Sequence, residues 1–84
     1  MTYNFSVQDF EGPLDLLLHL IRANKMEIEN INVENITNQY MDFINKMKEE
    51  SIDIASEYLV MASELVHLKS KILINSKEEN DEEY

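Results

Sequence analysis

The sequence predicts an all-α fold: a small three-helix domain with an extended, strand-like N-terminal segment and a flexible acidic C-terminal tail. Three observations predict it. The 84 residues hold one glycine and one proline, adjacent at Gly12–Pro13, so few turns are marked by special backbone residues. Three stretches place apolar side chains at helical steps of three and four. Only residues 3–9 alternate with a period of two. The helical domain is drawn over residues 1–76 and the acidic linker over 77–84.

In residues 3–9, Tyr3, Phe5 and Val7 are apolar and Asn4, Ser6 and Gln8 polar. No second strand candidate exists, so this segment must lie over the helices or pair with another chain. The first helix begins at Pro13, where proline gives up no intrahelical hydrogen bond, with Asp15 in the first turn. Its stripe is Leu14, Leu17, Leu18 and Ile21, flanked by Leu16 and Leu20, and it fades near Asn24. Residues 26–32 form a connector with Met26, Ile28 and Ile31 pointing inward. Asn32 caps a second helix over 33–48, with the stripe Val33, Ile36, Tyr40, Phe43, Ile44 and Met47. A polar break from Lys48 to Ser51 precedes a third helix over 53–75, capped by Ser51 or Asp53. Leu17, Leu18, Ile36, Tyr40, Phe43 and Ile44 are the expected core.

The third helix has more apolar surface than a domain this small needs. Ile54, Tyr58, Met61, Leu65, Leu68 and Ile72 share one stripe. Ala55, Leu59, Ala62, Val66 and Leu73 form a second stripe beside it. Together they cover about half the circumference, where a surface helix needs a stripe of about 100°. Either the helix lies centrally under its two sisters, or a second chain covers one stripe. Each wet leucine-sized side chain forgoes about 1.5–3 kcal/mol of burial. A covering partner would itself be a helix or coiled coil, because a long helix face suits ridge-into-groove packing.

Composition narrows the function. Seven Lys+Arg against 17 Asp+Glu give a net charge of −10, and the cations are scattered. Duplex nucleic acid or an anionic membrane surface would repel that charge, so no direct nucleic-acid or membrane binding is expected. No apolar run approaches the length of a membrane span or signal-peptide core, and a cytoplasmic protein is expected. With no cysteine, a disulfide framework and a cysteine zinc ribbon are excluded. A single glycine rules out a glycine-rich phosphate loop. Residues 77–84 carry −4 of the −10 and read as a solvated or disordered linker, whose abrupt end suggests that the natural protein continues.

Catalytic chemistry finds little to work with. Glu64-x-x-His67 has the spacing of a di-iron half-site, but it occurs once and its wheel position faces solvent. Asp15 and His19, four apart, read as a local contact on the first helix. No cofactor, metal or enzymatic activity is expected. The methionines at 41, 47 and 61 fall in or beside apolar stripes, as core packing requires, and Met61 also suits an adaptable contact surface.

The run Phe10-Glu11-Gly12-Pro13-Leu14-Asp15-Leu16-Leu17-Leu18-His19-Leu20-Ile21 resembles the N-terminal signature of segregation and condensation protein A, the bacterial kleisin family. The likeness continues at Gln39-Tyr40, at Ile54-Ala55-Ser56-Glu57-Tyr58-Leu59-Val60-Met61-Ala62, and at Lys69-Ser70-Lys71, covering nearly all of residues 5–74. Two departures bear on helix boundaries. Asn32 stands where the family commonly has proline, and Ile74-Asn75 follows Leu73 where a Leu-Pro commonly ends the helix. The second leaves the third helix open to run into the tail.

The resemblance implies a non-enzymatic domain that docks on the neck coiled coil of a structural-maintenance-of-chromosomes ATPase through the third helix. It implies a condensin-like ring for chromosome segregation, associated with the nucleoid. Segregation and condensation protein B would bind through segments beyond these residues. The expected contacts are Ile54, Tyr58, Met61, Leu65 and Leu68, or the neighbouring Ala55, Leu59, Ala62 and Val66. An isolated chain that instead self-associates, through the third helix or the N-terminal strand, is the alternative.

Overall fold

A computed structural model describes residues 6–81, with side-chain environments over 6–75. Three helices follow two short 3-10 turns: α1 is Pro13–Ala23, α2 is Val33–Glu49 and α3 is Ser56–Asp81, with the turns at Val7–Asp9 and Ile28–Asn30. Among the described residues there is no strand. The all-α, three-helix expectation is what the chain adopts.

Residues 7–9 correct the strand expectation. Ser6 caps a 3-10 turn reciprocally: its hydroxyl accepts from the Gln8 N–H, and the Asp9 carboxylate accepts from the Ser6 N–H at 2.7 Å. A serine with an acidic residue three positions on is a helical start signal, and here it outweighs the alternation. Residues 3–5 of that expectation lie outside the described residues.

The start of α1 is as predicted, with Pro13 at its first position and Asp15 in its first turn. The Asp15 carboxylate also accepts from the Glu11 N–H at 3.0 Å, which tightens the entry. The buried residues of α1 are Leu16, Leu17, Leu20 and Ile21. Leu14 is 62% exposed and Leu18 half-buried, so the inward face is turned towards the expected flank. In a helix with five leucines among its first eight residues, several stripes are equally apolar, and packing against α2 selects one.

Both α1 and α2 end in the same Schellman motif. At α1 the Lys25 N–H donates to the Arg22 carbonyl and the Met26 N–H to the Ile21 carbonyl, both at 3.0 Å. At α2 the Ser51 N–H donates to the Lys48 carbonyl and the Ile52 N–H to the Met47 carbonyl, again at 3.0 Å. Lys25 and Ser51 occupy the left-handed position, at φ 57 and 59. Between the helices, Ile28 corrects the expected inward-facing connector: it is 71% exposed, whereas Met26 and Ile31 are half-buried against the core.

The second helix matches its predicted stripe closely. The Asn32 side chain accepts from the Asn35 N–H at 3.0 Å, and Ile36, Tyr40, Phe43, Ile44 and Met47 are buried. Asn24, just past the end of α1, and Gln39 on α2 exchange two amide hydrogen bonds of 2.7 and 2.8 Å. The core joins these residues to Leu16, Leu17, Leu20 and Ile21, and to Tyr58, Ala62 and Leu65 of α3. Phe10 packs edge-on against Phe43, with ring centroids 6.1 Å apart, and closes the end of the core.

Candidate functional site

The third helix has 26 residues and is about 39 Å long, against about 26 Å for α2 and 17 Å for α1. Its start and end both differ from expectation. It begins at Ser56 and not at residue 53, so Ile54 and Ala55 belong to the lead-in. It continues through residues 77–81, which the sequence assigned to the flexible tail. Asn75 breaks a helix far less strongly than proline would, and nothing before Asp81 stops the ladder. Residues 82–84 lie outside the described residues.

Two buried tyrosines fix how α3 sits. The Tyr40 hydroxyl of α2 donates to the Tyr58 carbonyl at 2.8 Å, and the Tyr58 hydroxyl donates to the Val7 carbonyl at 3.1 Å. Burial pushes both phenols above the ordinary tyrosine range, with the nearby Glu57 carboxylate adding to the effect. Further along, the Lys69 ammonium donates to Asn38 Oδ1 at 3.0 Å. Ile72 and Leu73 then border a shallow cleft beside Ile31 and Val33. Pairing 58 with 40, 69 with 38 and 72 with 33 makes α2 and α3 an antiparallel pair.

That seating divides the expected contact residues. Of the first set, Tyr58 and Leu65 are buried at 4% and 8%, Met61 and Ile54 are half-buried against the core, and Leu68 is exposed. Of the second set, Ala62 is buried, whereas Ala55, Leu59 and Val66 are exposed. Tyr58, Ala62 and Leu65 therefore belong to the domain's own core. Leu59, Val66 and Leu73 form an outward row repeating every seven residues, at 40%, 44% and 52% exposure. Leu68, Ile72, Val60 and Ile74 are also exposed. Sequence reading left Val60 and Ile74 out because they fall on neither stripe. Their only sequence signal is apolar character on a helix with no continuous polar face.

Other candidates lack convergence. Glu64 and His67 both face outward on α3. Among the described residues no group of three or more His, Asp or Glu could hold a metal ion. The Asp15 carboxylate is engaged by the Glu11 N–H, while the His19 ring lies 5.4 Å from that of Phe10. Among the described residues no helix is long and apolar enough to cross a membrane.

A family model described as segregation and condensation protein ScpA matches residues 20–84. A segregation and condensation protein A from Clostridium acetobutylicum is 51% identical over 83 residues, covering 99% of this chain and 33% of that protein. One from Bacillus cytotoxicus is 56% identical over 80 residues, covering 95% of this chain and 32% of that protein. One from Bacillus cereus is 55% identical over the same length. The chain thus spans about a third of the length of the curated relatives it matches.

Proposed function

This chain belongs to the segregation and condensation protein A family, and we propose that it is a kleisin N-terminal interaction domain serving chromosome segregation and condensation. It docks through α3 on the neck coiled coil of a structural-maintenance-of-chromosomes ATPase and helps close a ring. The role is non-enzymatic. Segregation and condensation protein B engages the full-length protein through segments beyond these 84 residues, and the assembly works in the cytoplasm on the nucleoid.

The observation that carries this reading is the row Leu59, Val66 and Leu73. A seven-residue apolar repeat suits a helix that packs lengthwise against other helices. The row stays wet because α2 covers the neighbouring face, which carries Tyr58, Ala62 and Leu65, and α1 touches α3 only sparingly. Net charge supports the same reading, since −10 suits a protein-binding module in a DNA-handling assembly better than a DNA-binding one.

A pair of substitutions tests it. Leu59→Asp, on the exposed row, should weaken neck binding at least tenfold, measured by titration calorimetry, while helicity by circular dichroism is retained. Leu65→Asp, at 8% exposure, should unfold the domain, because an unpaired buried charge costs several kcal/mol. Retained folding and retained binding in both variants would refute the α3 interface.

A further inference from the structure

We infer that the partner helix beds on one seam of α3, in which Ser56, Leu59, Ser63, Val66, Ser70 and Leu73 alternate, and that it comes closest at Ser63. The inference rests on the docking reading above and adds its register and the character of the partner. All six residues are exposed. Steps of three and four place them within an arc of about 100°, its centre about 100° from that of the buried residues Tyr58, Ala62 and Leu65. Large side chains at 59, 66 and 73 are separated by serines at 56, 63 and 70. A large side chain from a facing helix fits into a hole whose floor is a serine, and small residues there let the axes approach. The row containing Leu68 and Ile72 is no competitor, because its upstream members Tyr58 and Leu65 are buried in the core and Met61 is half-buried.

Charge selects the occupant. No seam residue is charged; Lys69 and Lys71 lie about 90° and about 110° around the helix from its centre and Glu57 and Glu64 about 140°, so covering the seam buries no carboxylate. The chain as a whole is at −10, which opposes a second copy and attracts a helix of net positive charge. The occupant is therefore a neck helix with an aliphatic seam and a net positive charge.

The test titrates a neck coiled-coil fragment into this chain carrying Ser63→Trp, Ser63→Ala or Leu68→Ser. Ser63→Trp should weaken binding about tenfold or more, because the added bulk fills the hole. Ser63→Ala and Leu68→Ser should stay within about threefold of wild type, and all three should keep the wild-type melting temperature. Wild-type affinity in Ser63→Trp would overturn the seam while leaving neck docking intact. A wild-type chain that ignores the neck would overturn docking and seam together. Self-association that Ser63→Trp abolishes, seen by light scattering, would overturn the choice of occupant.

Discussion

Thr37 is buried in α2 at 1% exposure, and among the described residues its hydroxyl has no hydrogen-bond partner. An unpaired buried hydroxyl forfeits its hydration, and valine has nearly the same shape and the same β-branch. Thr37→Val should therefore raise the unfolding free energy by about 1 kcal/mol, read as a higher urea midpoint at unchanged slope. Sequence reading gave Thr37 no role, since a threonine next to an apolar stripe looks like its solvent edge. The tyrosines were half legible. The spacing placed Tyr40 in the core and Tyr58 on a stripe, but the chain of hydroxyls from α2 through α3 to Val7 joins residues 51 positions apart. No local pattern encodes a contact of that separation.

At the scale of elements, the chain's punctuation is misleading. Its one glycine, Gly12, has φ 170, extended backbone open to any residue, and among the described residues nothing lies within 4 Å of where a side chain would begin. The left-handed positions that end α1 and α2 hold Lys25 and Ser51 instead. A non-glycine residue there costs about 1–2 kcal/mol, partly offset in comparison by glycine's looser unfolded state. Lys25→Gly and Ser51→Gly should each stabilise the domain by about 0.5–1 kcal/mol in thermal denaturation, whereas glycine substitutions mid-helix destabilise. Legibility varied between elements for a physical reason. One face of α2 is apolar and the rest polar, so its spacing fixed its core residues. The leucines of α1 are too many to single out a face. The two stripes of α3 could be sorted only by the seating of α2, which buries Tyr58, Ala62 and Leu65 and leaves Leu59, Val66 and Leu73 in water.

At the scale of the molecule, one helix outreaches the body that anchors it, and the buried tyrosines tie stability to pH. The phenols of Tyr40 and Tyr58 are both held above their ordinary range by burial, so the folded state prefers them neutral. Their contribution is intact below about pH 10, the unfolded tyrosine value, and is lost as pH rises beyond it. In an alkaline titration, tyrosinate absorbance from these two residues should appear together with loss of helical dichroism, and Tyr40→Phe should remove part of that coupling. The excess reach of α3 has a different consequence. A domain of this size buries about 60% of the surface its unfolded chain exposes, so a wet apolar row along its longest helix is costly unless another chain shares it.

Side-chain footprinting by hydroxyl radicals, with and without the neck coiled coil, tests that sharing most directly. Leu59, Val66 and Leu73 should lose most of their reactivity on complex formation, while Leu14 on α1 and Ile28 in the connector, both exposed, keep theirs. A bound complex in which those three stay as reactive as in the free chain would contradict the account.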